Sequence, residues 1–427
     1  MAKKNKLRWM RLDNAAKIYP AARSQTWSNV FRLSVTLKDT VDKKVLQNAF
    51  SVTAKRFPSI VARLRKGAFW YYIQEVEKVP ELKKESSYPL TRMSKSETRK
   101  CAMRVIAYKN RIAVEIFHSL TDGNGALVFL KSLLSEYVEE KYNVKIPNEM
   151  GILDRREAPK EEEFEDSFIK NKGKISASRK DSDAWRLLGT DEPAGFLNLT
   201  CFKIPVDKVL KKAHEYNVSL TVFLASAMMM ALQNLQKDMV KKQKHRKSIK
   251  VLIPVNLRKL FNSRTLRNFV FYTTPEIEPR LGEYSFSEIL KIVTHKMGLD
   301  ITDKQMAKKI AVNVESEQML IVKILPLFIK NMVMKAIFNA VGERKSCLSL
   351  SNLGAVKIPK ELEEYVERFD FILGIQATAP YNCGVLSYKD TLYINFIRNI
   401  REPMLEASFF SVLRDMDIPV TVESNKQ

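Results

Sequence analysis

The stretch from Cys101 to Tyr142 constrains this chain more than any other. Two apolar, β-branched runs, Cys101–Tyr108 and Arg111–Phe117, flank Lys109-Asn110, a pattern that predicts a hairpin. The second run leads into His118-Ser119-Leu120-Thr121-Asp122-Gly123-Asn124-Gly125. Helical spacing follows at Ala126, Leu127, Phe129, Leu130, Leu133, Leu134 and Tyr137, and runs to about Tyr142. A strand that ends in a tight turn and passes straight into a long apolar helix needs a sheet with a helix laid across it. That is the grammar of an α/β chain.

The same junction suits chemistry. The strand fixes the imidazole of His118, and the turn leaves one face open. A neutral imidazole, with an ordinary pKa of about 6.5, can take a proton from a hydroxyl or an amine near neutrality. Three duller readings compete. A lone histidine beside an apolar strand is often a hydrogen-bonded core residue. His118 and Asp122 are too few for a metal, and His214, His245 and His295 lie in Lys-rich, helix-like or loop contexts, so no metal site is expected. Gly123-Asn124-Gly125 imitates a dinucleotide loop, but Val128 stands at the third glycine position and no βαβ opening surrounds it.

Other stretches repeat the mixture. Val30–Leu37 alternates like a strand, and Val41–Arg56 has helical spacing that stops before Pro58. Ile60–Leu64 and Phe69–Val76 flank Lys66-Gly67 as a further hairpin. The pattern fails between Gly151 and Ala184, where charged and small residues predict a linker. Beyond it come a strand at Phe196–Ile204, helices at Val206–Tyr216 and Leu220–Leu235, and strands at Ile249–Ile253 and Asn268–Ile277. Met228-Met229-Met230 reads as core packing. Helices are expected at Ser287–Leu299 and Thr302–Val314, strands at Leu348–Leu353, Phe369–Gln376, Val385–Tyr388 and Thr391–Ile397, and a closing helix at Pro403–Met416. Each half has strands, a hairpin and covering helices. The expectation is therefore two similar α/β (α+β) domains, residues 1–150 and 196–427, joined by a linker or crossover at 151–195.

Lysine and arginine exceed aspartate and glutamate by 24. Such a field favours an anionic partner. The densest basic run, Lys237 to Lys250, reads as a solvated helix end and loop, and no RNA-binding aromatic motif or zinc finger is present, so nucleic acid is not expected. Cys101, Cys201, Cys347 and Cys383 are scattered and read as reduced, buried thiols. No signal peptide is evident, and no uncharged apolar run reaches the roughly 18 residues that span a bilayer, so a cytoplasmic location is expected. Met319–Val341 is the most apolar stretch, interrupted by Lys323, Lys330 and Lys335. The favoured reading is a core-facing helix with a lysine edge; the sharper one is peripheral membrane contact.

His118-x-x-x-Asp122-Gly123 at a strand-to-turn junction resembles the active-site motif of the CoA-dependent acyltransferase superfamily, which includes chloramphenicol acetyltransferase, condensation domains and the alcohol acetyltransferases. Pro254-Val255-Asn256-Leu257-Arg258, followed by Asn268-Phe269-Val270, resembles the stretch in which that superfamily carries the arginine partner of the motif aspartate. Ser351-Asn352-Leu353-Gly354 is similar to a motif of the alcohol acetyltransferases. These matches spread over most of the chain. Two departures stand out. Phe117 occupies a position that is histidine in many relatives, and Asp370-Phe371 continues as Ile372-Leu373-Gly374 where some branches have Phe-Gly-Trp-Gly.

The resemblance implies two chloramphenicol-acetyltransferase-like domains, each a mixed sheet with covering helices, and an active site at their interface. It implies an acyltransferase, alcohol acetyltransferase-like, that moves an acyl group, acetyl by preference, to an alcohol or amine. His118 would be the general base, with Asp122, Gly123 and Arg258 structural at the site and Ser351, Asn352 and Gly354 binding substrate. No permanently bound cofactor is implied; acyl-CoA is a co-substrate. The alternatives are a stand-alone condensation protein acting on carrier-protein thioesters and a non-catalytic basic binding protein.

Overall fold

The computed structural model describes residues 7–22, 29–86, 88–174, 182–318, 324–337, 345–375 and 379–425. The first half begins with β1 (Trp9–Arg11), α1 (Ile18–Ala22), β2 (Val30–Leu37) and α2 (Lys43–Arg56). Then come β3 (Ala62–Lys66), β4 (Tyr71–Glu75), β5 (Lys83–Lys84), α3 (Lys95–Lys100), β6 (Met103–Tyr108), β7 (Arg111–Phe117) and α4 (Gly123–Tyr142). The connecting stretch carries only short helical turns among its described residues, at Glu161–Phe164, α5 (Ser167–Lys170) and Pro193–Gly195.

The second half holds β8 (Asn198–Pro205), α6 (Val206–Glu215), α7 (Leu220–Met239), β9 (Ile249–Asn256), β10 (Val270–Thr273) and β11 (Glu276–Ile277). After these lie α8 (Phe286–Asp300), α9 (Asp303–Gln318), α10 (Leu327–Ile337), β12 (Leu348–Ala355), α11 (Lys360–Glu363) and β13 (Val366–Ile372). The chain closes with β14 (Tyr381–Tyr388), β15 (Thr391–Arg398), α12 (Met404–Arg414) and β16 (Thr421–Ser424).

Among the described residues three sheets form. Strands β1, β4 and β3 form a small antiparallel sheet. A five-stranded sheet runs β13-β2-β7-β6-β5, and an eight-stranded sheet runs β10-β9-β12-β14-β15-β8-β16 with β11 beside β9. Both larger sheets are mixed: β5 is parallel to β6, and β12 is parallel to β9 and β14. Helices α2 and α4 cover the five-stranded sheet, and α7, α8 and α12 pack together in the second half. The alternation read in β2 is submerged, because that strand is buried on both faces.

Strand β13 departs from a division at residue 196. It comes from the second half yet pairs with β2, from Val366 opposite Leu37 to Ile372 opposite Arg32. Its apolar Phe369, Phe371 and Ile372 belong to the core of the first half. Sheet membership therefore interleaves the two halves. Gly384 on β14 allows this: a Cβ there would lie 2.3 Å from the carbonyl oxygen of Phe371.

The stretch read as a core-facing helix at 319–341 is corrected in part. Residues 319–323 and 338–341 lie outside the described residues. Among the residues of α10 whose side chains are described, only Leu327 and Lys330 are buried, so the lysine expected at the edge is inside and much of the apolar surface is outside. The expected strand at 268–277 is broken into β10 and β11, and β9 runs three residues past Ile253. Pro254 is tolerated there because β12 pairs with β9 only at Val251 and Leu252, so no neighbour on that side needs its missing N–H.

Candidate active site

His118 is the first residue past β7. Its backbone N–H donates to Asn29 O at 2.8 Å, and the Asn29 side chain donates to Tyr19 O at 2.9 Å. Asn29 holds this bridge at φ 55°, a left-handed conformation that asparagine adopts more readily than most residues. The imidazole is thereby packed between rings: Tyr19 stacks on it with centroids 4.6 Å apart, and Phe31 lies 5.0 Å away.

The ring nitrogen Nδ1 lies 3.0 Å from Asn268 Oδ1. Asn268 is oriented by its other atoms. Its Nδ2 donates to Asp13 Oδ2 at 3.2 Å and to His118 O at 3.0 Å. Both of those partners are acceptors, so the amide nitrogen must face them and the amide oxygen must face the ring. The network therefore assigns the hydrogen to Nδ1 and leaves the lone pair on Nε2. Burial holds the His118 pKa below its ordinary value, against the opposing pull of its own backbone, of Asp122 and of the Asn268 bond. The residue stays partly exposed. It is thus kept neutral while a face remains within reach.

Asp13 is fully buried and anchors the far end of this chain. It also accepts from Ala16 N at 2.7 Å and from Asn268 N at 3.3 Å, with Arg267 Nη2 3.8 Å away. Burial pushes its carboxyl pKa up, and Arg267 opposes that. The sequence reading missed Asp13 and used Asn268 only as a motif letter. The sole available signal was an acid set in an apolar opening segment, Leu12-Asp13-Asn14-Ala15-Ala16, which on its own points to no partner.

Asp122 faces away from this arrangement. Its Oδ1 accepts from Asn124 N and Gly125 N, both at 3.1 Å, and so caps α4 at the positive end of the helix. Its Oδ2 accepts from Arg258 Nη1 at 2.8 Å and Phe269 N at 2.9 Å. Arg258 reaches it from just beyond β9 and spends its other donors on Thr265 O and Arg267 O. With both oxygens engaged elsewhere, Asp122 ties the halves together instead of orienting His118. The turn is tight enough that Thr121 Oγ1 donates to Leu266 O at 2.5 Å. A Cβ on Gly125 would fall 2.1 Å from that hydroxyl and 2.4 Å from that carbonyl.

Ser351, Asn352 and Gly354 lie on β12. Asn352 is committed locally: its Oδ1 accepts from Gly354 N at 2.8 Å and its Nδ2 donates to Thr221 Oγ1 at 3.1 Å. Gly354 stands at φ 78°. Between them Leu353 reaches the start of α4, where a Cβ on Gly123 would meet it at 3.0 Å. The structure therefore gathers His118, Asp122, Gly123 and Arg258 at one junction, with β12 brought up to it through Leu353. Phe117 is a core residue with no exposure, which anchors the strand end behind His118. Among the described residues no cluster of three metal-ligating side chains occurs.

No protein-family model matches the chain, and no curated protein matches it by sequence. Solved structures do. TRI101 of Fusarium sporotrichioides, in complex with coenzyme A and T-2, superposes with a TM-score of 0.63 at 8% identity, over 98% of this chain and 100% of that one. Polyketide synthase associated protein 5 of Mycobacterium tuberculosis gives 0.61 at 14% identity, over 94% and 96%. The first condensation domain of the CDA synthetase gives 0.57 at 11% identity, over 96% and 95%. The chain has the two-domain fold of the CoA-dependent acyltransferases and condensation domains, as the motifs imply.

Proposed function

We propose that this protein is an acyltransferase that moves an acyl group, acetyl by preference, from CoA to an alcohol or an amine. The observation that carries the reading is the hydrogen bond from His118 Nδ1 to Asn268 Oδ1. It leaves the lone pair on Nε2 as a neutral base. Nε2 takes the proton of the acceptor O–H or N–H, and the acceptor atom attacks the thioester carbonyl carbon. The carbon–sulfur bond then breaks, and the leaving thiolate takes the proton back from His118 to give free CoA thiol. No acyl-enzyme is needed. Asn268 and Asp13 position the ring, and Asp122, Gly123 and Arg258 hold the junction. The oxyanion needs a donor. Ser351, the second Nδ2 hydrogen of Asn352 or a backbone N–H can supply it, the first Nδ2 hydrogen being given to Thr221.

The test is release of CoA thiol from acetyl-CoA with a panel of alcohols and amines. The expected outcome is turnover by the wild type and a loss of roughly 10²–10⁴-fold in a folded His118→Ala variant. Near-wild-type turnover in that variant would end the mechanism. The likeness to a condensation domain supports a second donor, a carrier-protein thioester. Reaction with an acylated carrier protein but not with acyl-CoA would select it.

A further inference from the structure

Helix α10 turns one side inward and leaves the other open. On the inner side Leu327 N–H donates to Ala68 O at 3.0 Å, Lys330 Nζ donates to Phe69 O at 3.0 Å, and Asn331 Nδ2 donates to Tyr71 Oη at 3.2 Å. The Lys330 ammonium also sits 4.1 Å from the centroid of the Trp70 ring. The helix is thus fastened to the tip of the β3–β4 hairpin. It also packs against α1, which carries Tyr19 onto His118.

The outer side is apolar. Ile324, Phe328, Met332 and Val333 are 63%, 62%, 71% and 47% exposed, and Phe69 at the hairpin tip adds a side chain that is 50% exposed. Phe328 and Met332 are four residues apart on α10 and share one face, and Ile324 precedes the helix across Leu325-Pro326. A contiguous apolar surface of this kind marks an interaction site. The acid that precedes it, Glu317, is already paired with Lys17, and Lys330 is turned inward. Lys335 and, at the hairpin, Lys66 are exposed beside this face.

We propose that this face rests on an anionic lipid bilayer, with its apolar side chains in the boundary between headgroups and acyl chains and the flanking lysines against lipid phosphates. Charge and size select this occupant. A second copy would bring another net charge of +24 against the first. The face offers five apolar side chains, whereas a stable protein interface uses about 20–30 residues a side. A bilayer needs only a few inserted side chains when the charges agree. The contact is peripheral, since no single described helix is long and apolar enough to cross a membrane.

The experiment is co-sedimentation of the full chain with vesicles of equal parts phosphatidylserine and phosphatidylcholine, and with phosphatidylcholine alone. Wild type should pellet with the anionic vesicles, weakly with the neutral ones, and less as salt rises. A Phe328→Glu/Met332→Glu variant, shown by circular dichroism and melting to be folded, should bind on the order of 10²-fold more weakly. Its sedimentation should change while CoA-thiol release with a water-soluble acceptor does not. Equal pelleting of variant and wild type, or no pelleting of wild type with anionic vesicles, would overturn the proposal. So would a concentration-dependent dimer of the wild type, or a stable complex with an acidic protein, that the same variant abolishes.

Discussion

At the scale of single residues, the weight falls on Asn268. Its amide is the one group that touches the imidazole, the Asp13 carboxylate and the His118 carbonyl together. Replacing it with alanine should leave a folded protein whose kcat falls by on the order of 10²-fold, the scale of a misplaced reacting group, with little change in KM. Because the lost bond favours the protonated ring, the acid limb of the activity profile should also move to lower pH. A merely structural role would not move that limb. In the wild type, burial already places the His118 pKa below 6.5, and the base must be unprotonated to act. kcat/KM should therefore hold as pH falls through 6.5 and drop only below it. A limb centred above 6.5 would contradict a buried neutral base. Asp13→Asn should show a smaller fall in kcat, because it loosens Asn268 without removing its contact to the ring.

At the scale of elements, the junction of β7 with α4 is held by Asp122, which serves as helix cap and inter-half tie at once. Its carboxylate is nearly fully buried and Arg258 is largely so. Removing either partner strands the other charge, at a cost of about 3–5 kcal/mol. Asp122→Asn and Arg258→Ala should each lower the melting temperature as well as activity. The double variant should lose less stability than the two singles together, because the stranded charge is gone. Strict additivity in that cycle would show that the pair is not coupled. Gly125→Ala should be more severe than its size suggests. The added carbon must displace the Leu266 carbonyl, which is backbone, so the whole Thr265–Asn268 turn that presents Asn268 has to move. Loss of activity without loss of α4 helicity is the expected signature, read by activity assay and circular dichroism.

At the scale of the whole molecule, the excess of 24 positive charges should draw in a ligand rich in phosphate. Affinity for CoA, measured by titration calorimetry, should weaken steadily as salt rises. An affinity indifferent to salt would mean that the field has no part in donor binding. What the sequence determined by itself is whatever is local. The hairpin through Lys109-Asn110, the strand end at Phe117, the turn at Asp122-Gly123 and the helix to Tyr142 follow from apolar β-branched runs, turn chemistry and helical spacing, which neighbouring residues set among themselves. The Asp122 to Arg258 pairing could be expected only because the motifs resemble a known pair. Tertiary structure alone decided the rest. Sheet pairing is long-range, so nothing in Val366–Ile372 announces that it will lie beside Val30–Leu37. A hydrogen bond is equally mute in sequence when its partners are 255 residues apart, as Asp13 and Asn268 are. Those two residues become an orienting device only once the halves close around His118, because burial removes the water that would otherwise satisfy them.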